Sequence, residues 1–133
     1  MTAASIEDQA LPELSRQAAA LMREHFMELY GVDELANQLG VSKSHLVRSF
    51  SAATGLTPGR YLTLVRVEAA KALLLHRDYR LETVAGLCGF SGANYLCKVF
   101  KKETGLSPAR WREQYAGVLS SPPPEGWEGK FYV

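Results

Sequence analysis

Residues 36–60 read ANQLGVSKSHLVRSFSAATGLTPGR, and residues 85–110 read AGLCGFSGANYLCKVFKKETGLSPAR. The second stretch repeats the first. A shift of 49 carries Ala36, Gly40 and Ser42 onto Ala85, Gly89 and Ser91. A shift of 50 carries Leu46, Phe50, Thr54, Gly55, Leu56, Pro58 and Arg60 onto Leu96, Phe100, Thr104, Gly105, Leu106, Pro108 and Arg110. The one-residue slip falls between Ser91 and Leu96, where one helix hands over to the next and a turn absorbs it. Inside a helix it would rotate every later side chain by about 100°.

Each copy therefore predicts a short helix, a glycine turn, a second helix and a Gly-Leu-(Thr/Ser)-Pro helix start, the outline of a helix-turn-helix. Ala36 and Ala85 let the paired helices approach closely. Gly40 and Gly89 supply a left-handed backbone position that other residues adopt at a cost. Leu46/Phe50 and Leu96/Phe100, four apart, fix the second helix to a core. One such pattern has many imitators among helical hairpins; two with the same flanks do not arise by accident.

Outward from the repeat, no segment alternates as a half-buried strand does. Leu14, Ala18, Leu21, Met22, Phe26 and Leu29 share one helical face over residues 14–29, with Gly31 as the expected stop. Val32, Leu35, Ala36 and Leu39 form the short amphipathic segment before Gly40, and Leu81, Val84, Ala85 and Cys88 the one before Gly89. Ser42 suits a helix N-cap. Thr57-Pro58 and Ser107-Pro108 are strong helix starts. The first opens a helix to about His76 whose apolar side is Tyr61, Leu62, Val65, Ala69, Ala72, Leu73 and Leu74. The chain reads as all-α, about seven helices forming two helix-turn-helix subdomains joined by a long linker helix. Residues 1–13 are an extension, 14–56 the first subdomain, 57–77 the linker, 78–116 the second subdomain and 117–133 an irregular tail rich in proline and glycine. The linker's ~19 residues span ~28 Å at ~1.5 Å per residue, the scale of the ~34 Å between successive major-groove openings on one face of B-DNA.

The net charge of +1 hides an uneven distribution. Residues 1–36 carry a net −5, residues 41–112 a net +8 and the tail from Glu113 a net −2. Local charge is what attracts phosphates, so the basic segment is compatible with nucleic acid, although charged faces are most often simply solvated. No apolar run approaches the ~18 residues of a membrane span, and the N-terminus has no signal-peptide pattern. Cys88 and Cys97 are too few for a disulfide framework and lack metal-ligand spacing, which points to a reducing cytoplasm. His25, His45 and His76 sit on different helices. With no phosphate loop, nucleophile elbow or paired carboxylates, neither an enzyme nor a cofactor is expected.

The chain resembles the AraC/XylS family of bacterial transcription regulators. The resemblance is carried by Asp33-Glu34-Leu35-Ala36, Leu39-Gly40-Val41-Ser42, Leu46-Val47-Arg48-Ser49-Phe50 and Gly55-Leu56-Thr57-Pro58, then by Tyr61-Leu62, Arg66-Val67 and Ala69-Ala70-Lys71-Ala72-Leu73-Leu74. In the second half it rests on Cys88-Gly89-Phe90-Ser91, Tyr95-Leu96, Lys98-Val99-Phe100-Lys101-Lys102 and Gly105-Leu106-Ser107-Pro108. It covers roughly residues 14–116. It implies a seven-helix domain, two recognition helices and sequence-specific binding of double-stranded promoter DNA; a contact with RNA polymerase, which activators need, is compatible both with that and with a protein-interaction module. Arg80 and Gly31 stand where that family usually places a capping Ser or Thr. Val47, Ala93 and Cys97 stand where longer polar residues are frequent. Many members carry a ligand-binding or dimerisation domain that the stretch before Leu14 is too short to form, so the chain reads as a small stand-alone member or an excised, monomeric DNA-binding unit.

Recognition helices read bases with the outward face of their first two turns. With Leu46 and Phe50 inward, Lys43, Ser44, Val47 and Arg48 face out; with Leu96 and Phe100 inward, Ala93, Asn94, Cys97 and Lys98 do. Arg48 can pair bidentately with guanine O6/N7, or be a solvated helix arginine. Val47 fits a thymine methyl or merely pads the helix, and Asn94 suits adenine or a helix cap equally. Ser51, Lys101 and Lys102 suit phosphates, which position without reading sequence. Cys97 is an inert small side chain or a redox-sensitive contact beside Lys98, and Cys88 is core. Tyr61 and Trp111, equivalent across the repeat, are expected to pack; Trp127 has no counterpart. The competing reading is a helical protein-interaction module without specific DNA binding.

Overall fold

The computed structural model describes residues 12–29, 31–76 and 78–115; the expectations for the N-terminal extension up to residue 11, the tail from 117 and Trp127 lie outside them. Among the described residues there are seven helices and no strand: α1 (Glu13–His25), α2 (Val32–Leu39), α3 (Lys43–Thr54), α4 (Pro58–His76), α5 (Leu81–Cys88), α6 (Ala93–Thr104) and α7 (Pro108–Tyr115). The chain divides into two compact units within α4, between Thr63 and Leu64.

In the first unit, α1 packs against α2 and α3. Ala18, Met22, Leu35, Ala36, Leu46, Phe50 and Leu62 are buried there together with Phe26 and Leu29. The helix bound, however, differs from the expectation. The helix stops at His25, and the amides of Glu28 and Leu29 both bond back to the His25 carbonyl at 3.0 and 3.2 Å. Phe26 and Leu29 are buried from this closing turn at 2% and 3% exposure, as their shared apolar face predicts. Gly31 instead stands at the N-cap of α2, where no side-chain bond is made. The fully buried Ser15 donates its hydroxyl to the Ser49 carbonyl of α3 at 3.5 Å, and Arg23 donates to the Tyr61 hydroxyl at 2.8 Å.

The second unit packs α5 on α6 and α6 on α7, around Val67, Ala69, Ala70, Leu73, Leu74, Val84, Ala85, Cys88, Leu96 and Phe100. Its helix bounds repeat the first unit's: α5 follows α2 by 49 residues, α6 follows α3 by 50. The slip therefore lies in the turn between Cys88 and Ala93. A further echo appears at a shift of 51: buried Ala18, Ala19 and Met22 of α1 correspond to buried Ala69, Ala70 and Leu73 of α4. The later part of α4 thus repeats the buried pattern of α1. Along α4 the buried residues form two stripes, Leu62/Ala69/Leu73 and Val67/Ala70/Leu74, about 100° apart at the helical angle. Val65 and Ala72, expected on a single apolar side, are only half-buried.

Gly40 and Gly89 end α2 and α5 at φ 71° and 86°. In each turn a second amide reaches back, Val41 to the Ala36 carbonyl and Phe90 to that of Ala85, as in a Schellman close. The aromatic packing expected of Tyr61 and Trp111 is present in matching form. The Phe50 and Tyr61 rings meet edge-on at 5.4 Å, and those of Phe100 and Trp111 at 5.6 Å.

Burial pushes the Cys88 thiol up to about 12 from 9.0, against a smaller opposing pull from Arg66. A thiol held neutral in the fold leaves stability untouched below the free value; stability falls as pH climbs from 9.0 toward 12 because the unfolded chain ionises first. A short iodoacetamide pulse at neutral pH is expected to label half-buried Cys97 and spare buried Cys88. Mass spectrometry reads the outcome, and equal labelling contradicts it.

Candidate nucleic-acid interface

Local chemistry fixes where α3 and α6 begin and end. The Ser42 hydroxyl accepts the His45 amide at 3.1 Å, the expected N-cap. At the far ends a matched clasp appears: Thr54 Oγ1 donates to the Phe50 carbonyl and accepts the Leu56 amide, and Thr104 does the same with Phe100 and Leu106. Thr57 and Ser107 cap the following helices through the amides of Arg60 and Arg110. With both C-terminal ends pinned, α3 capped at its start, and Leu46, Phe50, Leu96 and Phe100 fully buried, the outward faces follow from helical geometry.

On α3, Lys43, Ser44 and Arg48 are exposed and Val47 is half-buried; these four line one shallow open hollow. Lys43 Nζ lies 3.6 Å from Asp33 Oδ1, a solvated pair worth little. Ser51 differs from these four. Its hydroxyl oxygen is shut off from solvent and has no partner among the described residues. Its counterpart on α6, Lys101, has the same helical phase and is exposed. On α6, Asn94, Lys98, Lys101 and Lys102 are exposed, while Ala93 and Cys97 are half-buried. Asn94 does not cap; the N-cap is Gly92, with no side-chain bond. Arg48, Lys98, Lys101 and Lys102 make no ion pair among the described residues.

The outward face also holds two residues that the sequence reading left out. His45 and Tyr95 occupy equivalent positions and are both exposed, Tyr95 at 52%, with its ring edge-on to Phe90 at 5.9 Å. Each precedes an inward leucine by one residue, a 100° offset that places it on the flank opposite Val47 and Cys97. Not every cation of the basic segment faces outward. Arg112 donates Nε to the Leu74 carbonyl and Nη2 to that of Tyr79, both at 3.0 Å. Arg66 is more than half-buried; desolvation holds its guanidinium below the ordinary range, with Tyr95 and Cys88 pulling it back up. Among the described residues no cluster of three His, Cys, Asp or Glu groups could hold a metal ion, and no helix is long and apolar enough to cross a membrane.

A helix-turn-helix domain model matches residues 35–114. The HTH-type transcriptional activator RhaS of Escherichia coli (strain K12 / DH10B) is 35% identical over 100 residues, which cover 75% of this chain and 36% of that protein. The chain thus spans about a third of the length of the curated relatives it matches. The C-terminal domain of AraT, a response regulator from Geobacillus stearothermophilus, aligns with TM-score 0.76 and 27% identity over 87% of this chain and 92% of that one. The DNA-binding domain of AdpA, a global transcriptional factor crystallised with a target DNA, aligns with TM-score 0.75 and 32% identity over 81% and 97%. Since the matched residues take in both α3 and α6, the chain belongs to the AraC/XylS family of transcription regulators.

Proposed function

We propose that the chain is the sequence-specific, double-stranded DNA-binding part of a transcription regulator, with α3 and α6 as recognition helices in adjacent major-groove segments. The observation that carries this is the duplicated helix, anchored by its buried leucine and phenylalanine, that leaves Arg48 in one copy and Asn94, Lys98, Lys101 and Lys102 in the other exposed. Lys43, Ser44, Val47 and Arg48 read bases from α3, and Ala93, Asn94, Cys97 and Lys98 from α6, with His45 and Tyr95 on the flank. Lys101 and Lys102 hold phosphates. The unit binds as a monomer in the cytoplasm, and contact with RNA polymerase supplies activation, in keeping with the activator named among its relatives.

Selection from a random duplex library at moderate salt is expected to enrich one asymmetric site. Arg48→Ala then relaxes preference at one position, by about 1–3 kcal/mol of discrimination if the contact is bidentate to guanine. Lys101→Ala weakens all sequences alike and lowers the salt slope by about 0.9 for the lost phosphate contact. Failure to enrich any duplex overturns the reading.

A further inference from the structure

The two recognition helices begin differently. Ser42 caps α3 with its own hydroxyl, whereas the equivalent place before α6 is Gly92, which has no side chain to offer. An exposed first turn without a cap frays, because its leading amides have no partner within the helix. In α6 one of those amides is taken: Glu82 Oε1 accepts the Ala93 N–H at 3.4 Å. Glu82 is the second residue of α5, and Asp33 is the second residue of α2. Asp33 in turn approaches Lys43, the first residue of α3. Both units thus bring an acidic group from the second position of the supporting helix to the first residue of the reading helix. In the capped copy that group meets a side chain in solvent; in the uncapped copy it meets the backbone.

We infer that Glu82 is a positioning residue for DNA recognition: its carboxylate substitutes for the missing N-cap and holds the first turn of α6, with Ala93, Asn94 and Tyr95, in reading geometry. This rests on the proposed DNA-binding function. The sign of its effect separates it from plain electrostatics. Removing a negative charge near DNA strengthens attraction to phosphates. Removing a positioning group weakens binding, because only the population with an ordered first turn is competent.

The experiment compares the wild-type chain, Glu82→Ala, and Glu82→Ala combined with Gly92→Ser, on the duplex obtained by selection and on duplexes altered in the part contacted by α6. Gly92 is extended at φ 176°, and a Cβ there meets nothing within 4 Å. The hydroxyl introduced by Gly92→Ser therefore has room to accept the Tyr95 amide, as Ser42 accepts that of His45. Glu82→Ala is expected to lose about fivefold in affinity, the worth of one cap, with the loss confined to the part of the site read by α6, and Gly92→Ser restores it. Unchanged or tighter binding by Glu82→Ala overturns the inference, as does a loss that Gly92→Ser leaves uncorrected. Hydrogen exchange of the Ala93–Tyr95 amides in the free protein gives a readout that needs no DNA. About fivefold faster exchange in Glu82→Ala, reversed by Gly92→Ser, supports the latch, and unaltered exchange removes it. If the wild-type chain selects no duplex, the DNA-binding proposal fails while the exchange result still decides the role of Glu82.

Discussion

Phe100→Ala is expected to cost the second unit about 3–5 kcal/mol, the range for removing a buried aromatic ring. Phe100 is fully buried, stacks edge-on with Trp111 and lends its carbonyl to the Thr104 clasp. Its loss opens a cavity at the point where α6 meets α7. A unit this small has a total stability of the same order, so the amide resonances of α6 and α7 should collapse toward random-coil positions at room temperature. Phe50→Ala should do the same to α3, since Phe50 holds the equivalent place against Tyr61. A urea midpoint for Phe100→Ala within about 1 kcal/mol of wild type would show that α6 is held by something other than this ring.

Arg112→Ala is expected to destabilise the second unit by about 2 kcal/mol, the scale of losing charge-assisted hydrogen bonds at a half-buried site. Leu74 lies in the last turn of α4, where carbonyls have no partner within the helix, and Tyr79 lies in the segment that follows. The planar guanidinium bonds both carbonyls at once and places a cation at the negative end of the helix. Arg112→Lys should recover less than half of the loss, because an ammonium on a flexible stem cannot span both acceptors in that fixed geometry. Urea unfolding reads the stability. The salt slope of DNA binding should stay at the wild-type value, and a fall would mean that Arg112 contacts phosphate after all.

These residues mark what a sequence discloses and what it withholds. Helix starts and stops written in local chemistry were legible: Gly40, Ser42, Gly55, Thr57-Pro58, Gly89 and Ser107-Pro108 all act where they were expected. The end of α1 was not, because its apolar face runs on through Phe26 and Leu29 past the point where the helix stops. Arg112, Arg66 and Arg23 read as ordinary cations until their partners, up to 38 positions away, are known. The likeness of α1 to the later part of α4 was hidden by a third register shift and by the substitution of Met22 by Leu73. On the outward faces, helical phase placed Arg48 and Lys98 correctly in solvent. Taking only one flank left out His45 and Tyr95, and phase alone did not reveal that the fold encloses the Ser51 hydroxyl while leaving its counterpart Lys101 exposed. The missing cap at Gly92 was legible as a glycine; its replacement by a carboxylate ten residues earlier was not.

The matched ends of α3 and α6 have an engineering corollary. Both are twelve residues long, put leucine and phenylalanine at their fourth and eighth places, and close with the same threonine bridge. Each behaves as an interchangeable cassette whose plug is common and whose printed side alone differs. If the proposed readout holds, grafting one into the other's socket together with its own N-terminal anchor, Ser42 for α3 or Glu82 for α6, transplants the lettering it recognises.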